Sequence, residues 1–151
     1  MTATPQSQPA SKARLRLWLR LLKTTRRVEA DLRERFRAEF ATTLPRFDVM
    51  AALARQEEGL KMSQISATLR VSGGNVTGIV DRLAEEGLVE RCAVPGDRRA
   101  ARVRLTDLGR GEFARQAEAH EAWIDALLGD VEANEAALMS RRLDALTEDS
   151  R

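Results

Sequence analysis

Residues 63–105 read SQISATLRVSGGNVTGIVDRLAEEGLVERCAVPGDRRAARVRL. Ser63 opens a short helical segment, Ser63–Leu69, with its hydroxyl placed to cap the free N–H groups of the first turn and with Ile65, Ala67 and Leu69 as core positions. Arg70-Val71-Ser72-Gly73 reads as a turn, and Ser72 caps the next segment, Gly73–Glu86. Val76, Ile79, Val80 and Leu83 recur at helical spacing as its inward face, and Gly87 suits the left-handed position after a helix. Two helices joined by so short a turn form a helix-turn-helix unit. Leu88–Ala93 and Ala101–Leu105 then alternate as strands around Val94–Arg99, a turn-rich basic loop, with Val103 and Leu105 inward and Arg102 and Arg104 outward. This hairpin is a wing beside the helix pair.

The flanks are helical. From Ser11 to Ala41, Leu15, Trp18, Leu19, Leu22, Leu32, Phe36 and Phe40 recur at spacings that make one apolar stripe on a helix whose other faces are rich in Arg. Such a helix spans roughly 40 Å, long for this chain, so part of the stripe is expected to pack on something besides its own chain. A second helix starts at Leu44, with Pro45 in its first turn, buries Phe47, Met50, Ala51, Leu53 and Ala54, and ends by Gly59. After the wing, Thr106-Asp107 caps a long helix to Leu128, with Phe113, Ala117, His120, Trp123, Ile124, Leu127 and Leu128 on its apolar side. Gly129-Asp130 breaks it, and a last helix covers Val131–Leu146.

The 151 residues suit one ordinary domain, and an apolar fraction of 43% with 32% charged residues is globular. No run is long and apolar enough for a membrane span, and the polar N-terminus lacks the apolar core of a signal peptide, so the expected location is the cytoplasm. The single cysteine, Cys92, excludes an internal disulfide and a cysteine-based zinc site; it reads as a small strand residue, with a redox-sensing thiol as the alternative. The net charge of +2 is unevenly spread: residues 1–40 carry +6, residues 41–105 carry +2, and residues 106–151 carry −6. The basic and acidic ends can attract each other within or between chains, or the basic end can meet an anion.

The chemistry points to double-stranded DNA. The major groove admits one α-helix, and a helix entering it must be small and polar at its leading end. Here that end is Ser72, Gly73, Gly74, Asn75, Thr77 and Gly78. Hydroxyls and an amide can bond bases or phosphates, while glycines cost about 1 kcal/mol each relative to Ala in a helix. Close approach to a partner, or tight helix packing, must favour them. On the wing, Asp97, Arg98 and Arg99 follow Pro95-Gly96, and an Arg at a hairpin tip can enter a narrow minor groove. Asp97 would repel phosphate if unpaired, so it is expected to hold an Arg by a bidentate pair. Ser63 and Gln64 sit at a helix start that can meet phosphate, and Arg82, on the outer face, can reach phosphate or pair with Asp97.

The run SGGNVTGIVDRLAEEGLVER, residues 72–91, followed by PGDRRAARVRLTDLG, residues 95–109, resembles the MarR family of bacterial regulators. Val80-Asp81-Arg82-Leu83, Gly87-Leu88-Val89, Asp97-Arg98-Arg99 and Leu105-Thr106-Asp107-Leu108-Gly109 carry the resemblance, which covers residues 12–147. It implies a mainly α fold with a small β-hairpin wing: a winged helix-turn-helix plus a helical dimerisation region built from the first and last helices of two chains. The expected division is a disordered arm over 1–11, a dimerisation helix over 12–42, the DNA-binding domain over 43–105 and C-terminal dimerisation helices over 106–151. It further implies a homodimer on a pseudo-palindromic operator, with the Gly73 helix in the major groove and Arg99 in the minor groove, and release of DNA on binding a small effector. Effector candidates are Arg16, Trp18, Arg20, Met50, His120 and Trp123, suited to an aromatic acid or an acyl-CoA thioester, although each also fits a plain packing or surface role. Peroxide-sensing relatives carry a cysteine in the first helix, which this chain lacks, so redox sensing of that kind is not expected.

Rival readings explain less. One His, one Cys, no Tyr and no phosphate loop offer no nucleophile with its base, so no catalysis, cofactor or metal is expected. A protein-interaction scaffold leaves the glycine-rich helix start and the basic wing tip unexplained. A sequence-tolerant architectural DNA-binding protein is the nearest alternative, separated from a regulator by the ratio of specific to nonspecific affinity.

Overall fold

The computed structural model describes residues 9–69 and 73–148. Its elements run α1 (Ala10–Phe40), α2 (Leu44–Ala54), α3 (Met62–Leu69), α4 (Gly73–Glu85), β1 (Val89–Val94), β2 (Asp97–Leu105), α5 (Asp107–Leu127) and α6 (Ala133–Glu148). This is the mainly helical winged fold that the sequence implies.

The apolar stripe of α1 divides in two. Leu32 and Phe36 are buried, whereas Leu15, Trp18 and Leu19 are at least half exposed, as is Leu17 on an adjoining face. Helix α6 has no buried residue and presents Leu138, Met139, Leu143 and Leu146 to the outside. Both ends of the chain thus carry apolar faces that this chain does not cover.

Thr43 Oγ1 accepts the Arg46 N–H at 3.3 Å and caps α2, with Pro45 in the first turn where its missing N–H costs nothing. Helix α2 is buried on two sides and joins two cores. Phe47 packs with Leu32, Phe36, Leu44 and Trp123, while Val49, Met50 and Leu53 pack with Ile65, Val76, Val80, Leu83, Val89, Val103 and Leu105. Burying a side chain of this size stabilises by about 1.5–3 kcal/mol, so these positions carry the winged half.

Several local expectations are corrected. Helix α2 ends at Ala54, and Gly59 serves another purpose: at φ +88° it turns the chain into Leu60, which exchanges two backbone hydrogen bonds with Val103 at 2.9 and 2.8 Å. A Cβ on Gly59 would lie 2.5 Å from the Val103 carbonyl oxygen. Helix α3 begins at Met62, so Ser63 sits inside the first turn; Gln64 reaches back instead, its Oε1 accepting the Lys61 N–H at 2.9 Å. Ala67 is exposed because Ile65 alone of that helix reaches full burial. The wing turn is only Pro95-Gly96, with Gly96 at φ +82°, and Asp97–Arg99 belong to β2. The register is regular from Val89↔Leu105 to Cys92↔Arg102, then jumps to Val94↔Asp97. The extra residues on β2, Arg98 to Ala101, bulge from the ladder.

Helix α4 closes with paired bonds from the Gly87 N–H to the Ala84 carbonyl at 3.0 Å and from the Leu88 N–H to the Leu83 carbonyl at 2.9 Å, with Gly87 at φ +75°. Thr106 then links this end to α5. Its hydroxyl donates to the Gly87 carbonyl at 2.6 Å and accepts the Gly109 N–H at 3.0 Å, while its own N–H donates to the Leu88 carbonyl at 3.1 Å. A Cβ on Gly109 would fall 1.9 Å from that Leu88 oxygen. Gly109→Ala should therefore lower the unfolding free energy by about 2–3 kcal/mol, and Thr106→Val by about 1 kcal/mol. Urea unfolding at fixed protein concentration checks both, and a G109A curve matching wild type would remove the steric argument.

His120 packs its ring 4.7 Å from Phe47 and 6.1 Å from Phe36. Burial lowers its pKa, so the fold favours the neutral imidazole. The stability this gives is complete above the unfolded value, about 6.5, and is lost as pH falls through it towards the folded value. His120→Phe should flatten the drop in the urea midpoint between about pH 7.5 and 5.5; an unchanged pH slope would show that other groups carry it.

Candidate nucleic-acid interface

Helix α4 is amphipathic about a sharp line. Val76, Val80 and Leu83 are fully buried, whereas Asn75, Thr77, Gly78, Asp81 and Arg82 are exposed. Asn75, Gly78 and Arg82 stand at i, i+3 and i+7 along one edge, with Thr77 and Asp81 along the other. Gly73 and Gly74 are the first two residues of the helix, and Ser72 lies outside the described residues. A Cβ on Gly78 would meet nothing within 4 Å. The fold of this chain does not require glycine there, and a helix interior disfavours it. Its effect is a low surface between Asn75 and Arg82.

The wing contains five arginines, and the structure sorts them. Arg91 pairs with Asp81 on α4. Arg104 Nε bonds Glu90 across the ladder at 2.6 Å, and Arg102 donates to the Gly59 carbonyl at 3.3 Å. Arg98 and Arg99 are exposed at the tip, and neither guanidinium has a partner among the described residues. The expected Asp97–Arg ion pair is corrected: Asp97 Oδ1 accepts the backbone N–H of Arg99 at 2.9 Å, two residues on. The carboxylate shapes the bulge and leaves both cations free, because a local side-chain-to-backbone bond needs no ordering of a long side chain. Nor does Arg82 pair with Asp97; its guanidinium is likewise without a partner among the described residues. Ser63 and Gln64 are exposed at the start of α3.

Sequence reasoning missed Asp81 and Arg91. Their pair ties the outer face of α4 to the base of β1 and neutralises a carboxylate that phosphate would otherwise meet. Asp81 stands in Val80-Asp81-Arg82-Leu83, but nothing along the chain says that Arg91 lies beside it.

The six effector candidates do not meet in one place within the chain. Arg16, Trp18 and Arg20 are exposed on the first half of α1, and Arg20 lies about 18 Å along the helix from Leu32. Met50 is 1% exposed in the winged core. His120 and Trp123 join the aromatic cluster, with Trp123 edge-on to Phe36 at 5.0 Å. A cavity of about 410 Å³ lies elsewhere, between the end of α1, the start of α2 and α4, and is lined by Arg33, Arg37, Thr43, Pro45, Asn75 and Ile79 among others. Asp48, half-buried and facing Arg33 and Glu29, has its pKa raised by burial and by Glu29, with Arg33 opposing. Among the described residues no group of His, Cys, Asp and Glu could hold a metal ion, and no helix is long and apolar enough to cross a membrane.

Known proteins share this arrangement. A family model described as the MarR family matches residues 42–100. The HTH-type transcriptional regulator PecS of Dickeya dadantii is 34% identical over 76 residues, 49% of this chain and 46% of that protein, so the match spans about half the length of this curated relative. A crystal structure of a MarR family transcriptional regulator from Silicibacter pomeroyi superimposes with a TM-score of 0.78 at 32% identity, covering 96% of this chain and 100% of that one. A mutant MarR from E. coli complexed with operator DNA shares the fold, with a TM-score of 0.75 at 20% identity, covering 93% of this chain and 99% of that one.

Proposed function

The chain belongs to the MarR family, and from that premise we propose that it works as a homodimer that binds operator DNA through one winged helix-turn-helix per chain and represses transcription until a small effector releases it. The observation that carries this reading is the sorting of the wing arginines. Three are spent on carboxylates or a carbonyl, while Arg98 and Arg99 stand at the tip without a partner among the described residues. A free guanidinium on a narrow hairpin suits the strongly negative potential of a narrow minor groove. Beside it, α4 offers Asn75, Thr77 and Arg82 around the open surface at Gly78, the size and polarity that a major groove admits. Ser63 and Gln64 at the start of α3 are placed for backbone phosphates.

The uncovered apolar faces of α1 and α6 support a helical dimer interface, leaving residues 43–105 as the DNA-binding part. Two such units on one dimer would meet half-sites about one helical turn apart on a pseudo-palindrome. The protein would act where that DNA is, in the cytoplasm. The cavity beside Asn75 supports effector control, since a molecule held between Arg33, Arg37 and Ile79 would touch the frame and the reading helix together. Arg33 and Arg37 pair with Glu29 and Glu34 on the same helix, at exposed positions where such pairs are weak, so an aromatic acid or an acyl-CoA thioester would bind by taking over one of these arginines. Such a ligand shifts DNA affinity only by its unequal binding to the two conformations.

Gel-shift titration against DNA from upstream of its own gene, beside an unrelated duplex at the same salt, is the deciding experiment. Preference for the upstream DNA supports a specific regulator; equal affinity for both would favour the architectural reading. Arg99→Ala should weaken operator binding by about 1–3 kcal/mol with the dimer unchanged in size, and unchanged affinity would take the wing out of the mechanism. Gly78→Ala should stabilise the fold by about 0.5–1 kcal/mol yet weaken operator binding. Gain in both properties would mean that nothing approaches that surface. Asn75→Ala should alter sequence preference across a panel of operator variants; a uniform loss would make Asn75 a phosphate contact.

A further inference from the structure

Helix α1 carries ten of the 25 lysines and arginines of the chain. At 3.6 residues per turn, eight of the ten fall within a sector of about 140°. Lys12, Arg16, Arg20, Lys23 and Arg27 follow one another at spacings of three and four, and Arg26, Arg33 and Arg37 lie along the neighbouring edge. All eight are exposed. Of the four carboxylates on α1 only Glu34 stands inside the sector, and none precedes Glu29. Like charges at these spacings repel, and cations in the first turns oppose the helix macrodipole. The helix by itself gains nothing from this arrangement, whereas an anion laid along it removes the repulsion.

The basic face has a fixed place in the fold. Arg33 and Arg37, at its C-terminal end, line the 410 Å³ cavity together with Asn75 of the reading helix. From there the face runs back to Lys12 over about 38 Å, close to the roughly 35 Å that separates half-sites one helical turn apart. Arg20, Lys23, Arg26 and Arg27 have no partner among the described residues. Arg37 pairs with Glu34, and Arg33 pairs with Glu29 and faces Asp48. Exposed pairs of this kind are weak and give way to phosphate. The apolar stripe of Leu15, Trp18, Leu19 and Leu22 lies beside the Lys12–Lys23 edge and does not coincide with it, so a second copy can cover the stripe without covering the edge. The acidic end of that second copy is the rival occupant. It would account for the first half of the face and not for its continuation to the start of α4.

We propose that the basic face of α1 is a phosphate track, which in the dimer lies along the DNA backbone between the two half-sites, a role that rests on the regulatory reading above. Six of its eight cations are arginines, whose planar forks match phosphate oxygens. The track adds affinity and fixes register on the duplex, while α4 and the wing tip supply sequence preference.

Titration of the full-length protein across a salt series of about 50 to 200 mM tests the track, with the upstream DNA and an unrelated duplex side by side. Lys23→Gln and Arg27→Gln each remove one contact per chain and two per dimer. Each should make the slope of log affinity against log salt shallower by about two and weaken both duplexes by the same factor, at least about tenfold at the lower salt. Unchanged slope and affinity would overturn the track. A loss confined to the upstream DNA would overturn its indifference to sequence. Circular dichroism checks that the variants fold, and sedimentation should show them still dimeric; dissociation would assign the face to the acidic end of the second copy and overturn the proposal. A footprinted operator carrying neutral methylphosphonate linkages between its half-sites should abolish the difference between wild type and variants. A persisting difference, or two duplexes bound per dimer, would overturn the placement between half-sites. Equal affinity of the wild type for both duplexes would instead overturn the regulatory reading, and the slopes on the unrelated duplex then decide the track by themselves.

Discussion

The side chain and N–H of Thr106 hold three elements in one place. The hydroxyl donates to the carbonyl of Gly87, where α4 ends, and accepts the N–H of Gly109, where α5 begins; the backbone N–H bonds Leu88 at the base of the wing. The helix proposed to read DNA, the hairpin beside it and the helix that joins the frame are thereby fixed relative to one another through one residue. The contact is so close that position 109 admits no side chain, and Gly87 must take a left-handed conformation to bring Leu88 into range. Leu105-Thr106-Asp107-Leu108-Gly109 is thus a joint as well as a helix start.

Around that joint, helix α2 distributes burial. Its Phe47 side belongs to the aromatic cluster with Phe36, His120 and Trp123, and its Met50 side to the winged core. Packed side chains at both faces of this one short helix connect α1 and α5 to α4. Close packing makes such a unit shift between discrete arrangements rather than deform smoothly. Two cavities lie along this seam, of about 410 and 250 Å³, one opening beside Asn75 and the other beside Glu86.

Electrostatics selects where the protein can meet an anion. Exposed ion pairs contribute little to stability. Their effect here is allocation: Asp81 and Glu90 occupy Arg91 and Arg104, while Asp97 is taken by a backbone N–H, so uncompensated charge collects at Arg98 and Arg99. A net charge of +2 conceals this. The excess of cations on the first 40 residues and of carboxylates on the last 46 falls on the two helical ends whose apolar faces are also uncovered. Complementary charge and apolar surface on the same elements favour their meeting between two chains.

The sequence by itself determined the order of elements, the inward face of α4, the capping by Thr106 and the wing with its basic tip. Each depends on neighbours within a few residues: apolar spacing, a hydroxyl before a helix, glycine where φ is positive. The same local rules misplaced the cap of α3, because Ser63 and Lys61 differ by only two residues and the reach-back of Gln64 decided between them. What only the tertiary structure decided depends on residues far apart in the chain. Gly59 is needed for the approach of Val103, 44 positions away. Arg91 and Asp81 become partners because α4 and β1 fold back at Gly87, and Arg46 and Gln116 line one cavity because α2 and α5 pack together. The effector candidates scattered for the same reason. Aromatic and basic residues on a helical stripe reveal which face they occupy, and only packing reveals which of those faces meet.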